Sequence, residues 1–215
     1  MKNWWIFYLT AATLGISIVI LFMVRLRPIP FPSPTSDTTI TAIDTPTVTV
    51  INPQKGPENA KITIVTFGDF QCVSCRDLAV TLDSLLKTYP NDIRIVWKDF
   101  PNESIHPFAA PASIAAACAG EQNAFWDYHD ELYRRQTYLS QEQFALIAKD
   151  LSLNEKSFAS CFDDSETLPK VRRDFEEGLA LNLTATPTIF IGNDRTVGAV
   201  SLDELDAKIR ELLSK

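Results

Sequence analysis

Residues 66–76 of the chain read TFGDFQCVSCR. The two cysteines, Cys72 and Cys75, follow an apolar β-branched run (KITIVTF, 61–67) and open a segment with helical apolar spacing (72–89). A cysteine pair with this spacing is typical of a metal knuckle, of a redox pair or of two structural cysteines. The elements around the pair and the two other cysteines of the chain bear on the choice.

The chain on either side of this stretch predicts an α/β domain. Residues 61–67 and 92–100 have the β-branched composition of short buried strands, and the helical segment between them completes a β-α-β unit. Two strands at 186–192 and 195–200, joined by a Gly-Asn turn, precede a last amphipathic helix that starts with a capping box at Ser201. The second half is therefore predicted to be β-β-α.

The segment between these halves, about 106–182, is predicted to be helical throughout. It contains an alanine-rich stretch, an aromatic stripe at helical spacing and a Ser140/Gln143 capping box. We therefore expect an all-helical insertion in the α/β domain. Ahead of the domain, TVTVI (Thr47–Ile51) alternates β-branched residues and predicts a first edge strand.

The N-terminal part of the chain differs in composition from the rest. Trp4–Val24 contains no charge and would form a helix about 31 Å long, so we predict a transmembrane anchor at 1–27. A cleaved signal peptide fits less well because the apolar run is too long for one. Residues 28–46 are rich in Pro, Thr and Ser and predict an extended linker to a folded domain at 47–215.

Charge and cysteine spacing exclude two function classes. The net charge is -7, and no basic cluster offsets it, so we expect no nucleic-acid partner. A zinc site needs a second ligand pair, whereas Cys118 and Cys161 stand 43 residues apart without a neighbouring Cys or His partner. We therefore expect no metal and favour the redox interpretation.

The redox interpretation gives each cysteine of the pair a role. At a helix N-terminus the sulfur of Cys72 would face unpaired backbone N–H groups and the positive end of the helix dipole, which stabilise a thiolate. Cys75, one turn later, is placed to attack a mixed disulfide formed on Cys72. We predict that Cys72 is the nucleophile and that Cys75 is the resolving cysteine.

Three segments in the same order resemble the DsbA-like form of the thioredoxin fold: FGDFQCVSC (67–75), ACAGEQNAFWDYHDELY (117–133) and ATPTIFI (185–191). The resemblance covers about 48–215. It implies an α/β thioredoxin fold with an inserted all-helical subdomain and a thiol-disulfide oxidoreductase without organic cofactor.

The resemblance also assigns residues to substrate binding. Pro187 would be cis and would pack opposite the cysteine pair, where the backbone of Thr186 pairs with an incoming peptide strand. Val73 and Ser74, between the cysteines, would lie beside that peptide. The best-known oxidases of the family carry Pro-His in place of these two residues.

Two positions near the pair bear on whether an acidic residue lies beside it. Thr66 stands six residues before Cys72, where thioredoxin-like proteins often have a buried acid. Asp69 is nearby, and a role as the helix N-cap suits it at least as well as an acidic role at the site.

The remaining cysteines and the two histidines of the chain lie outside the motif. Cys118 and Cys161 fall on apolar stretches of the insertion, where buried free cysteines are common. Outside the cytoplasm an even cysteine count favours pairing, so we expect a structural disulfide between them. His106 and His129 show no ligand spacing and are interpreted as core or surface residues rather than catalysts.

Together these patterns predict a membrane-tethered enzyme with its catalytic domain on the extracytoplasmic side. The expected activity is that of an oxidase that donates the Cys72–Cys75 disulfide to reduced, unfolded secreted proteins. The resemblance implies a DsbB-like or vitamin K epoxide reductase-like (VKOR-like) membrane quinone enzyme as the partner that reoxidises the pair. A disulfide reductase or isomerase of the same fold, or a non-catalytic anchored module, are the alternatives.

Overall fold

The computed structural model of the protein describes residues 43–164 and 168–215. Five strands and seven α-helices are assigned in this part of the chain. The strands are β1 (Gln54–Lys55), β2 (Ile62–Gly68), β3 (Ile93–Asp99), β4 (Thr188–Ile191) and β5 (Asp194–Val197). The helices are α1 (Val73–Thr88), α2 (Ala109–Gly120), α3 (Phe125–Arg134), α4 (Gln141–Asp150), α5 (Glu155–Asp163), α6 (Leu168–Ala180) and α7 (Leu202–Leu213), with a 3-10 turn at Gln136–Tyr138.

The strands form one mixed sheet in the order β1-β3-β2-β4-β5. The central strand β2 runs parallel to β3 and antiparallel to β4, so that Thr66 lies between Trp97 and Ile189. Six of the seven β2 residues are buried, as expected for a strand covered on both faces. The chain leaves the carboxyl end of β2 at Gly68, where a Cβ atom would come within 2.2 Å of the Trp97 ring. The turn that carries the two cysteines therefore begins at the middle of the sheet.

Helices cover the two faces of the sheet. The first face packs against α1 and α7 through aliphatic side chains, among them Leu78, Leu85 and Ile209. The second face carries Phe67, Phe100 and Phe190, and Phe175 of α6 stacks on Phe100 at 5.1 Å between ring centroids. This arrangement fixes the N-terminus of α1 against the edge of a filled core.

The insertion between β3 and β4 is helical, as predicted. Nine of the twelve residues of α2 are buried, and the small alanines let neighbouring helices approach on several sides. Tyr128 of α3 is fully buried and donates a hydrogen bond to the Phe144 carbonyl of α4 at 2.7 Å. The α/β fold class with an inserted helical subdomain is confirmed.

The edge strand predicted at Thr47–Ile51 is wrong. Thr49 donates through its backbone N–H and its hydroxyl to Oδ1 of Asn52, which bends the chain, and the first strand is the short β1. Val50 is 94% exposed, so its β-branched side chain has no sheet face to cover. The alternating β-branched residues suggested a strand, but the hydrogen bonds from Thr49 to the Asn52 side chain determine the backbone conformation here.

No helix within residues 43–164 and 168–215 is both long enough and apolar enough to cross a membrane. The predicted anchor at 1–27 lies outside the described residues, as does nearly all of the predicted linker at 28–46.

Candidate active site

Cys72 is the N-cap of α1 and is only 8% exposed. Its sulfur accepts a hydrogen bond from the backbone N–H of Cys75 at 3.3 Å. As a thiol it donates to the Thr186 carbonyl at 3.4 Å. The nucleophile predicted from the sequence therefore occupies the position that a capping Ser or Asp side chain usually takes.

The surroundings of Cys72 lower its pKa from 9.0 to about 6. The largest cause is the hydrogen bond that the Cys75 thiol donates to the Cys72 sulfur. Burial opposes it, whereas the Thr186 side chain and the Cys75 backbone N–H lower the pKa further. At neutral pH the Cys72 sulfur is therefore mainly a thiolate, the reactive form in thiol-disulfide exchange.

Cys75 lies one turn into α1 and is 3% exposed. Burial raises its pKa far above the ordinary thiol range, and its hydrogen bond to Cys72 and the charge of Cys72 raise it further. Neither cysteine is in a disulfide in this structure. Two cysteines three residues apart thus differ sharply in acidity, because Cys72 accepts hydrogen bonds from Cys75 whereas Cys75 is buried beside the charge of Cys72.

The cis-proline loop closes the other side of the site. The Thr186–Pro187 peptide bond is cis, and β4 begins at the next residue. Thr188 donates its hydroxyl to the Ala185 carbonyl at 2.8 Å, which holds the loop. The structure therefore brings Cys72, Thr186 and Pro187 together, whereas Val73 points into solvent with 57% exposure. Ser74 is half-buried beside it.

The sequence suggested that Asp69 could be the N-cap of α1, but Cys72 occupies that position. Its side chain is fully buried in the turn before Cys72. Its carboxylate accepts hydrogen bonds from the backbone N–H groups of Gln71 at 2.7 Å and Asn102 at 2.9 Å. The same carboxylate lies 2.9 Å from Nδ1 of His106. Asp69 therefore joins the cysteine turn to the loop that follows β3.

Gln136 of the 3-10 turn is a supporting residue that the sequence did not reveal. Its buried side-chain amide donates to the carbonyls of Phe70 and Cys72, both at 2.9 Å. The insertion thus contributes directly to the cysteine turn. No sequence pattern indicated this, because Gln136 is 64 residues from Cys72 and follows an ordinary amphipathic helix.

A second buried acid, Asp99, lies at the end of β3. Burial raises its pKa to about 7, and the nearby charge of Asp174 contributes, although a hydrogen bond from the Trp97 indole at 2.9 Å acts in the opposite direction. Thr66, at the position where a buried acid was considered, is buried in β2 and has no charge. The acidic groups near the pair are thus on turns and strand ends.

The other two cysteines have a structural role. Cys118 of α2 and Cys161 of α5 form a disulfide with Cα atoms 5.7 Å apart. The pairing expected from the cysteine count is present in the structure. Because it joins two helices of the insertion, it belongs to the scaffold rather than to the redox pair.

Known proteins match this chain over the domain just described. The family model described as thioredoxin matches residues 49–211, more than half of the chain. The Na⁺/H⁺ antiporter NhaA 1 of Salinispora arenicola is 32% identical over 155 residues, which are 72% of this chain and 24% of that protein. The chain spans about a quarter of the length of the curated relatives it matches.

Two solved structures share the fold. BdbD from Bacillus subtilis, in its oxidised form, superposes with a TM-score of 0.71 at 21% identity, covering 81% of this chain and all of that one. The thiol-disulfide exchange protein α-DsbA2 from Wolbachia pipientis gives a TM-score of 0.67 at 23% identity, covering 76% and 88% of the two chains. With its cysteine pair at the start of α1 and its helical insertion, the chain belongs to the thioredoxin family and has the thiol-disulfide oxidoreductase fold of the DsbA type.

Proposed function

We propose that this protein is a thiol oxidase that donates the Cys72–Cys75 disulfide to reduced secreted proteins. The observation that carries the proposal is the unequal acidity of the two cysteines, with the pKa of Cys72 lowered to about 6 and that of Cys75 raised. A thiolate that is stabilised in the folded protein favours the reduced pair over the disulfide. The disulfide is then a good oxidant.

The reaction transfers two electrons from the client to the enzyme. A client thiolate attacks the Cys72 sulfur, the bond between Cys72 and Cys75 breaks, and Cys75 leaves with the electron pair. The second client thiolate attacks the client sulfur of the mixed disulfide, and Cys72 leaves as the stabilised thiolate. The client gains a disulfide and the enzyme becomes the dithiol.

The cis-proline loop supports a peptide client. Because the Thr186 carbonyl already accepts from Cys72, its backbone lies within reach of a strand that enters beside the sulfur. The exposed Val73, which follows Cys72 in the chain, offers an apolar contact. We propose Thr186, Pro187, Val73 and Ser74 as the client-binding residues.

The proposal extends to location and partners. The composition of residues 1–46 supports a membrane anchor and a linker, with the catalytic domain outside the cytoplasm. The disulfide between Cys118 and Cys161 is of the kind that persists in oxidising compartments. A membrane quinone oxidoreductase of the DsbB-like or VKOR-like kind would return the Cys72–Cys75 pair to the disulfide after each turnover.

The reduction potential of the Cys72–Cys75 pair tests the oxidase assignment. We expect equilibration with glutathione to give a value above about -200 mV, nearer to the oxidising end of the family at about -120 mV than to thioredoxin at about -270 mV. A value near -270 mV would assign the protein to the reductases. In cells the pair should be trapped mainly as the disulfide, whereas an isomerase would be found mainly reduced.

A further inference from the structure

Cys75 needs a base that accepts its proton. When Cys75 attacks a mixed disulfide on Cys72, its thiol must lose a proton, and burial makes that loss unfavourable without a nearby acceptor. Thr66 offers no base at the adjacent β2 position. The carboxylate of Asp69 is occupied by two backbone N–H groups and by His106. The acceptor therefore has to be sought elsewhere around Cys75.

A small cavity borders Cys75, and neither Cys72 nor Pro187 lines it. Its volume is about 20 Å³, enough for one water molecule. Cys75, Thr66 and His129 line it, together with Lys55 and Asp83. His129 of α3 is 4% exposed and its ring packs edge-on against Trp97 and Tyr133, which holds the imidazole in one orientation. The cavity thus joins the buried thiol to a buried imidazole.

We infer that His129 exchanges a proton with Cys75 across this cavity, through one water molecule. Nδ1 of His129 lies 2.8 Å from the Asp130 carboxylate, which makes Nδ1 the donor and leaves Nε2 with a free electron pair. The inference rests on the proposed function, because it concerns the same cysteine pair.

The proton balance is the same in both directions. In resolution the Cys75 proton passes to Nε2, the Cys75 thiolate attacks the Cys72 sulfur, and the client sulfur leaves with the electron pair. In oxidation the client thiolate attacks Cys72, Cys75 leaves as a thiolate, and the proton that Cys75 takes up comes from solvent by way of the imidazole and the water molecule. Lys55 and Asp83, which form an ion pair at 2.7 Å and are partly exposed, lie where the cavity meets solvent.

The charged neighbours of His129 suit a base that is neutral at physiological pH. Burial lowers its pKa, and Lys55 of β1 acts in the same direction. Asp130 of the same helix and Asp83 of α1 oppose the decrease. The ring is therefore free to take up a proton at neutral pH. Cys75 itself titrates too high for its own ionisation to make the rate level off between pH 4 and 8.

Two-phase kinetics with the aromatic disulfide DTNB test the inference on the purified full chain, reduced at Cys72 and Cys75. Attack by Cys72 on excess DTNB releases one coloured thiolate, and attack by Cys75 on the resulting mixed disulfide releases a second, independently of the DTNB concentration. In the unaltered protein the second rate should rise with pH and level off once His129 is neutral, below the ordinary histidine value of about 6.5.

The variant His129→Gln should slow the second phase about 100-fold at pH 7, as expected for loss of a general base. Its rate should then climb about tenfold per pH unit without levelling, since hydroxide becomes the base. The first phase should not change. His106→Gln, the matched change at the other histidine, should keep the levelling.

Asp130→Asn provides a second test that leaves the buried ring in place. Because the carboxylate raises the pKa of His129, its removal should move the levelling to lower pH. If His129→Gln does not fold, this shift alone decides the matter. A levelling that persists in folded His129→Gln, or that does not move in Asp130→Asn, overturns the inference. A second phase that survives in Cys75→Ser would instead contradict the proposed function.

Discussion

Cys72 and Cys75 lie three residues apart at the open end of a helix, whereas Cys118 and Cys161 lie 43 apart and join two helices of the insertion. The first pair has one sulfur at a helix N-terminus and one in the core. Both sulfurs of the second pair are held between packed helices, away from the N-cap position that lowers the pKa of a thiol. The same residue type is thus reactive or structural according to the backbone that surrounds it.

Substitution of the cysteines should give the largest difference in activity between the two pairs. Cys72→Ser should abolish oxidation of a reduced client, because a hydroxyl cannot form the mixed disulfide. Cys75→Ser should trap clients on Cys72. The double change Cys118→Ala and Cys161→Ala should retain turnover under conditions in which it remains folded. The measurements are the rate of client oxidation and the adducts seen on non-reducing gels. Equal losses of activity on replacing either pair would show that the two pairs do not differ in function.

Alkylation of the reduced protein measures the difference within the first pair. With the pKa of Cys72 at about 6, iodoacetamide should label Cys72 at pH 7 at least about a hundred times faster than Cys75. The rate should fall as pH drops through about 6. In denaturant the two rates should become similar, since the contacts that separate them are lost. Similar rates in the folded protein would show that the helix end does not distinguish the two thiols.

Removal of the structural disulfide should affect stability rather than chemistry. The bridge closes a loop of about 44 residues, so Cys118→Ala with Cys161→Ala should reduce the free energy of unfolding by about 2–4 kcal/mol. Urea denaturation monitored by circular dichroism measures this, with Cys75→Ala as the control that leaves the bridge intact. The pKa of Cys72 should not change with the double variant, because neither cysteine is among the groups that shift it. A change in that pKa would couple the two pairs.

The sequence predicted the elements that depend on local pattern. Buried strands, capping boxes and the spacing of the redox pair are encoded within a few residues, and the helix predicted from Cys72 is the observed α1. The predicted N-caps Ser140 and Ser201 likewise accept hydrogen bonds from the backbone N–H groups three residues on.

The features that the sequence did not predict depend on contacts between distant residues. Gln136 reaches the Cys72 carbonyl from the insertion, and His106 reaches Asp69 across 37 positions. The strand expected at Thr47–Ile51 did not form because Asn52 turns the chain there. Single-sequence patterns contain no information on which of many polar side chains will meet in the core. The supporting residues of the site therefore could not be predicted from the sequence, whereas its two cysteines could.

The smallest expected effect concerns the charge beside Cys72. The Asp69 carboxylate raises the pKa of Cys72, although this is the weakest of the influences on that thiol. Asp69→Asn should therefore lower the pKa by less than about one unit, because the buried negative charge no longer disfavours the thiolate. The pH dependence of Cys72 alkylation measures the change.

The matched control is His106→Gln, which removes the partner of Asp69 but keeps the carboxylate. In that variant the pKa of Cys72 should not fall. Both variants disturb the contact between Asp69 and His106, but only Asp69→Asn also removes the negative charge and one oxygen that accepts a backbone N–H, so loss of the contact alone would shift both in the same direction. A fall in the pKa of Cys72 in both would assign the effect to the geometry of the turn. A fall in Asp69→Asn alone would show that the Asp69 carboxylate limits how far the surroundings of Cys72 lower its pKa.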